Sequence, residues 1–313
     1  MNRQLSIIVC TRNRPVELTR AICSVIKAGR ECGGNIEVII VDDGDLPPVL
    51  VQHLTNILTE VSIPLVYVKK ASKHNLFASR LIGLKQANYE TVLFIDDDVE
   101  IDQDYINVLF ETYEMFPSAV GVGGVDVLMK RASLWRQAWE ILIFYRSLDR
   151  GKLSVSGFGG SMDKWITAKS PFQTEFLSGC NMSFRKEALK NIAEKKWLQG
   201  YSLGEDLYLS FIARQNGILV INPNMKVKHY RSMVSRDNAE AIAYSQIVNH
   251  FELLREYNAP KIRYITFLVT TCGIMALYAA KIILRKPAGR KQFRGGIQGV
   301  RYIWQEISQR KKL

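Results

Sequence analysis

No glycine-rich phosphate loop follows the first apolar run of this chain: GxGxxG is missing there, and GxxxxGK[ST] occurs nowhere. Both absences disfavour a dinucleotide dehydrogenase or a P-loop enzyme, which seat phosphate on backbone N–H groups at a helix N-terminus. Cysteine is sparse and unpatterned. Cys10, Cys23, Cys32, Cys180 and Cys272 form no CxxC pair and no metal-ligand spacing, so they read as reduced thiols of a cytoplasmic protein, three of them in the core. Acidic residues are scarce after residue 225, with 5 Asp+Glu against 17 Lys+Arg, whereas the first 225 residues carry 25 of each sign. The formal net charge of +12 therefore belongs to the last quarter of the chain. No recognised nucleic-acid module accompanies that charge, which argues against nucleic acid as a partner. The N-terminus enters a strand by Leu5 with no signal-peptide pattern before it.

What is present is ample core material: 313 residues, 47% of them hydrophobic and 10% aromatic, enough for one large domain or two smaller ones. The first hundred residues alternate apolar strands (Leu5–Cys10, Ile36–Val41, Leu65–Val68, Thr91–Ile95) with helical segments (about Val16–Ala28, Val49–Leu58 and Phe77–Ala87). Near-continuous apolar strands between amphipathic helices imply a parallel sheet covered on both faces. In such sheets the ligand lies outside the carboxyl ends of the strands. Three polar loops leave those ends, Thr11–Arg14, Asp42–Asp45 and Asp96–Asp98, and converge on one crevice. Further along come a glycine-rich strand (Gly121–Val125), an aromatic-rich helix (Leu134–Tyr145) and a long Gly/Ser loop (Ser154–Ala168). A helix opening at Arg185-Lys186-Glu187, a helix over Leu207–Gln215 and a last strand, Ile218–Ile221, with His229 just beyond, complete this part.

Asp96-Asp97-Asp98 at the mouth of a hydrophobic strand carries the most chemistry. Adjacent carboxylates repel one another, and a divalent cation held by their oxygens removes the conflict while gripping substrate phosphate. A helix cap or a solvated turn is the competing reading of the triplet.

Six segments occur in one order over about 215 residues: the first strand with TRNRP, the second with VDDGD, NLFASRLIGL, FIDDD, FLSGCNMSFRKEAL and GEDLYLSFIARQNG. Together they resemble the GT-A fold of the family-2 inverting glycosyltransferases, an α/β fold with a Rossmann-like mixed sheet and helices on both faces. The resemblance implies a nucleotide-diphosphate sugar donor, a Mg²⁺ or Mn²⁺ ion, and single displacement with inversion at the anomeric carbon. It makes 1–228 the catalytic domain, with 1–100 the nucleotide-binding half and 101–228 the acceptor half.

On that resemblance Asp98 is the metal ligand, Asp96 and Asp97 reach ribose hydroxyls or a metal-bound water, and Asp96 shares in the metal site. Asp43 accepts a hydrogen bond from the base, and Thr11 and Arg14 line the same edge. Arg80 faces the nucleotide, unless it only decorates a solvated helix face. Asp206 is the base that takes the acceptor hydroxyl's proton, with Glu205 orienting it; a helix N-terminus would favour the same acidic pair without catalysis. His229 is an additional metal ligand, as in many GT-A enzymes. One element departs: the Gln/Arg-x-x-Arg-Trp of processive polysaccharide synthases has no match after GEDL, so the chain is expected to add a single sugar to a glycan or lipid-linked acceptor in cell-surface polysaccharide synthesis. A polyprenyl-phosphate glycosyltransferase and a non-catalytic nucleotide-binding scaffold are the alternatives.

Residues 229–313 read as a basic helical region. Tyr264–Ala280 carries no charge and as a helix is roughly 26 Å long at about 1.5 Å per residue. Extended to 264–284 it just matches a hydrocarbon core. Lys261 and Arg263 precede it, and the richer cluster from Arg285 to Lys312 follows it. A span would place that cluster on the far side, against the positive-inside tendency. A re-entrant or in-plane helix on the cytoplasmic face of the cell membrane resolves the conflict, with the tail helix near Ile297–Ile307 on anionic lipid. A core helix that covers the catalytic domain or pairs in a dimer is the competing reading.

Overall fold

The structure, a computed structural model, describes residues 3–71, 74–200, 202–234 and 238–310; Lys311 and Lys312 of the basic tail lie outside them. The expected alternation appears as β1 (Gln4–Thr11), α1 (Pro15–Glu31), β2 (Asn35–Asp42), α2 (Pro48–Thr59), β3 (Leu65–Lys69), α3 (Leu76–Gln86) and β4 (Thr91–Asp96). These four strands pair in parallel in the order β3-β2-β1-β4. Their register places Thr11 opposite Asp42 and Cys10 opposite Asp96, so the polar loops leave one edge at nearly one level.

Beyond β4 the sheet becomes mixed. β5 (Val99–Ile101), α4 (Tyr105–Met115), β6 (Ala119–Asp126), α5 (Leu134–Leu142), β7 (Phe172–Thr174), β8 (Asn181–Arg185), α6 (Glu205–Arg214) and β9 (Ile218–His229) follow. They extend the sheet as β4-β8-β6-β9-β5, with β7 also on β9. β8 lies antiparallel between β4 and β6. Two apolar clusters cover the sheet's faces, one built with α1, α2 and α4, the other with α3 and α6. Three local expectations change. RKEAL makes one 3₁₀ turn, Lys186–Leu189, instead of a helix. The aromatic-rich helix ends at Leu142. The last strand runs twelve residues to His229, which closes it.

α7 (Ala239–Glu256), α8 (Lys261–Ile283) and α9 (Gly289–Arg310) form a helical layer that is fastened to the sheet domain. Asn249 Nδ2 donates to the Leu203 carbonyl at 2.7 Å and Tyr257 OH to that of Leu207 at 3.1 Å, both at the start of α6. His250 stacks on Phe158 with ring centroids 3.7 Å apart, and Phe158 joins Ile247, Phe251, Phe267 and Ile274 in a third apolar cluster. α9 docks through small residues. A Cβ on Gly295 would lie 2.0 Å from the Glu240 carbonyl oxygen, so only glycine lets α9 approach α7 this closely.

Candidate active site

Asp96 ends β4, and the turn at Asp97-Asp98 leads directly into β5. β9 pairs antiparallel with β5 and places His229 opposite Val99, which is how a histidine 131 residues downstream comes to sit beside Asp98. His229 Nε2 is 3.2 Å from Asp98 Oδ1 and 4.0 Å from Asp96 Oδ2. One donor atom from each of Asp96, Asp98 and His229 lies within 4.8 Å of the others. Asp98 Oδ1 is buried and accepts no aligned hydrogen bond. A ring nitrogen and a carboxylate oxygen held 3.2 Å apart, with a second carboxylate beside them, make a donor set that suits a hard cation such as Mg²⁺ or Mn²⁺ once the imidazole gives up its proton.

The surroundings orient these donors. The Ser232 N–H donates to Asp98 Oδ2 at 2.7 Å, and Arg80 Nη2 to Asp96 Oδ1 at 2.7 Å. Burial raises the cost of charge on Asp98, yet His229, the Ser232 N–H and Arg14 hold its pKa below the usual carboxylate value. Burial likewise opposes charge on His229, and Asp98, with Cys180 and Asp96, more than offsets it, lifting the imidazole to about 10. Asp126, at the end of β6, fixes His229 from the other side by accepting its backbone N–H at 3.2 Å, and also accepts from Arg231. Sequence reading missed Asp126; its position as a carboxylate ending a glycine-rich strand was the available signal.

Asp97 has a different task from its neighbours. It is buried, and its oxygens accept from Thr11 Oγ1 at 2.7 Å and Arg14 Nη1 at 2.8 Å. These bonds tie the loop after β1 to the triplet. Arg14 also donates twice to the Val234 carbonyl, at 2.8 and 2.6 Å, and so holds the segment after β9 over the site. Asp43 is held by Lys70 Nζ at 2.8 Å and the Asn75 N–H at 3.0 Å, at the edge expected for a base. Its neighbour Asp42 folds the loop, accepting from Gly44 N, Leu46 N and Tyr67 OH.

Arg80 is not on a solvated helix face. Only 2% exposed, its guanidinium bridges Asp96 and Glu205 Oε1, the latter at 2.5 Å, and donates to the Gly179 carbonyl at 2.8 Å. A buried cation needs such pairing, and the planar fork can serve two carboxylates at once. Arg80 thereby joins the metal-capable triplet to the acid pair.

That pair opens α6 behind Gly204, whose φ of +89° favours glycine. Glu205 is buried, and its pKa rises to about 8, from burial first, with Arg80 acting in the opposite direction and Asp206 and Asp96 adding to the rise. Asp206 is half-buried. Its carboxylate accepts from Leu207 N at 2.9 Å and Gly179 N at 3.3 Å, and burial raises its pKa against the pull of Arg80. A carboxylate with a raised pKa is equipped to take a proton.

Comparison with known proteins decides the family. The profile described as glycosyl transferase family 2 matches residues 6–193, from β1 past β8. The chain belongs to this family. A Macaca fascicularis protein named inactive polypeptide N-acetylgalactosaminyltransferase-like protein 5 is 23% identical to this family-2 chain over 319 residues, covering 94% of it and 67% of its own length. Among solved structures, the mannosyltransferase PcManGT from Pyrobaculum calidifontis, in complex with GDP-Man and Mn²⁺, superposes with a TM-score of 0.57 at 14% identity, over 95% of this chain and 86% of that one. S. aureus TarS 1-349 in complex with UDP-GlcNAc gives 0.55 at 14% identity, over 94% and 79%. The chain spans 43% of the longer TarS structure. At these identities the neighbours establish the GT-A fold.

Proposed function

We propose that this family-2 glycosyltransferase moves one sugar from a nucleotide-diphosphate donor to a hydroxyl of a lipid-linked or growing glycan acceptor, with inversion. The observation that carries this reading is the Arg80 bridge. A single buried guanidinium ties Asp96 of the metal-capable group to Glu205 of the acid pair, so donor and acceptor chemistry share one rigid frame. The nucleotide sugars named for TarS and PcManGT, and the Mn²⁺ named for the latter, support the donor class and the cation.

Asp98, Asp96 and His229 would hold Mg²⁺ or Mn²⁺, which when bound supplies positive charge to the diphosphate leaving group. Asp43 stands at the edge where a base would rest. Asp206, held by the Leu207 and Gly179 N–H groups, removes the acceptor hydroxyl's proton as that oxygen attacks, with Glu205 beside it locked on Arg80. Direct displacement by the acceptor inverts the anomeric centre. The sugar product from an α-linked donor is therefore expected in the β configuration by proton NMR of an early time point; retention would contradict the single displacement.

The relative named inactive favours one second reading, a nucleotide-binding scaffold. Asp96, Asp98 and Asp206 are all in place here and weigh against it.

A further inference from the structure

α8 turns several polar residues, with Phe267 and Ile274, inward and an apolar stripe outward. Thr270 Oγ1 donates to the Ile143 carbonyl at 2.5 Å, Thr266 Oγ1 reaches that of Val155 at 3.3 Å, and Tyr278 OH donates to Gln246 Oε1 at 2.8 Å. Outward it presents Ile262, Ile265, Leu268, Val269, Leu277 and Ile283, each between 40% and 80% exposed. Their spacing makes one stripe along the helix. The sequence from 262 to 284 contains no Asp or Glu. Cations mark both ends of the stripe, Lys261 before it and Arg285 and Lys286 after it, with Arg290 and Lys291 opening α9. A second apolar projection adjoins it. α5 exposes Leu134, Trp135 and Leu142, and the next residue, Ile143, packs so closely on α8 that a Cβ on Gly273 would lie 2.5 Å from it. An exposed indole beside such a surface suits a lipid–water interface.

We propose that this face lies in the plane of an anionic bilayer, with α8 half sunk in the headgroup region and α5 beside it. By length and composition α8 is apolar enough to cross a membrane. Crossing would strip it of the bonds to Ile143, Val155 and Gln246 and expose the buried Phe267 and Ile274. A second copy of the chain could cover the same stripe, but charge decides between the occupants. Two copies would bring the same cationic ends together, whereas anionic headgroups neutralise them.

The placement has a consequence for the acceptor, and this part rests on the proposed transfer reaction. Segment 143–168 touches α8 through Ile143, Val155 and Ser156. At its far end Met162 and Trp165 line a small cavity with Gly124, Asp126 and Ser178 beside the site. The segment thus runs from the lipid-facing helix to the cleft, which fits an acceptor carried on a lipid.

Co-sedimentation of the full chain with vesicles tests the contact. Wild type is expected on phosphatidylcholine vesicles containing phosphatidylglycerol, and at least about tenfold more weakly on phosphatidylcholine alone. Ile265→Glu with Leu268→Glu, both exposed and outside the site, is expected to weaken anionic binding by at least about tenfold while leaving nucleotide binding and the circular dichroism spectrum unchanged. Failure of wild type to bind anionic vesicles overturns the proposal, as does a solution dimer that this double variant dissolves. Depth-dependent quenching by brominated lipids, with a fluorophore on Cys272 in a Cys23→Ser background and on Ile262→Cys and Ile283→Cys in a Cys23→Ser, Cys272→Ser background, adds a second readout. Equal shallow depths are expected; a deep position 272 between shallow ends means a span and overturns the in-plane arrangement. Vesicle binding without nucleotide binding would refute the transfer reaction and leave the membrane face standing.

Discussion

Asp206→Asn is expected to lower turnover by about 10²–10⁴-fold, the range general-base removal usually costs, while donor binding stays unchanged. Asparagine preserves shape, and its single amide oxygen can still accept from the Leu207 N–H, giving up only the longer bond from the Gly179 N–H to the second carboxylate oxygen. What it loses is the ability to take a proton. Glu205 does not replace it, because that carboxyl is buried against Arg80. Steady-state kinetics with a hydroxyl acceptor reads the effect as a loss in kcat with little change in donor KM. The pH profile adds a second readout. Burial raises the pKa of Asp206, so the acidic limb of kcat should rise at higher pH than an ordinary aspartate would give, and should vanish in the variant. A mild loss would point elsewhere. A phosphate acceptor is already ionised and needs no strong base, so near-normal turnover in Asp206→Asn moves the account to polyprenyl-phosphate transfer.

Arg80→Met is expected to destabilise the fold by about 3–5 kcal/mol in denaturant unfolding, because it leaves two carboxylates without their buried counter-ion. Arg80→Lys should restore only part of this, since a point charge cannot bridge Asp96 and Glu205 as the fork does. The deficit should grow with pH. Glu205 has its folded pKa raised from 4.5 to about 8, so the folded state holds a proton that the unfolded state has released. That contribution is fully present below about 4.5 and is lost as pH rises through about 8. Without Arg80 the buried carboxylate is harder still to ionise, and unfolding at pH 5 and pH 8 should diverge more in the variant than in wild type. An unchanged stability in Arg80→Met would mean that the bridge does not organise the site.

The first hundred residues were legible because local pattern and place in the sheet agree there. Apolar runs became β1, β2 and β4, and polar loops at their carboxyl ends met where sheet geometry requires. Elsewhere the sequence hid its structure in specific ways. Asn222-Pro223-Asn224 reads as a turn, yet β9 continues through it. Asn222 is buried, its Nδ2 bonds Thr112 Oγ1 at 2.7 Å and its Oδ1 accepts from Asn224 N, so the break in pattern is satisfied by the side chain itself. Lys186–Leu189 has helical composition but turns once and stops, since Ala188 and Leu189 are spent against the sheet. Arg80 could not be placed from sequence because its two anionic partners stand 16 and 125 residues away. The resemblance named the family correctly and left that guanidinium's direction to the fold.

Calorimetry with UDP, GDP, TDP and CDP, each with and without Mn²⁺, on wild type and Asp98→Ala, tests the central claim most directly. The account predicts that one diphosphate binds in a Mn²⁺-dependent manner and that Asp98→Ala abolishes this binding. Absence of binding by every nucleotide, with Mn²⁺ as without it, would contradict it.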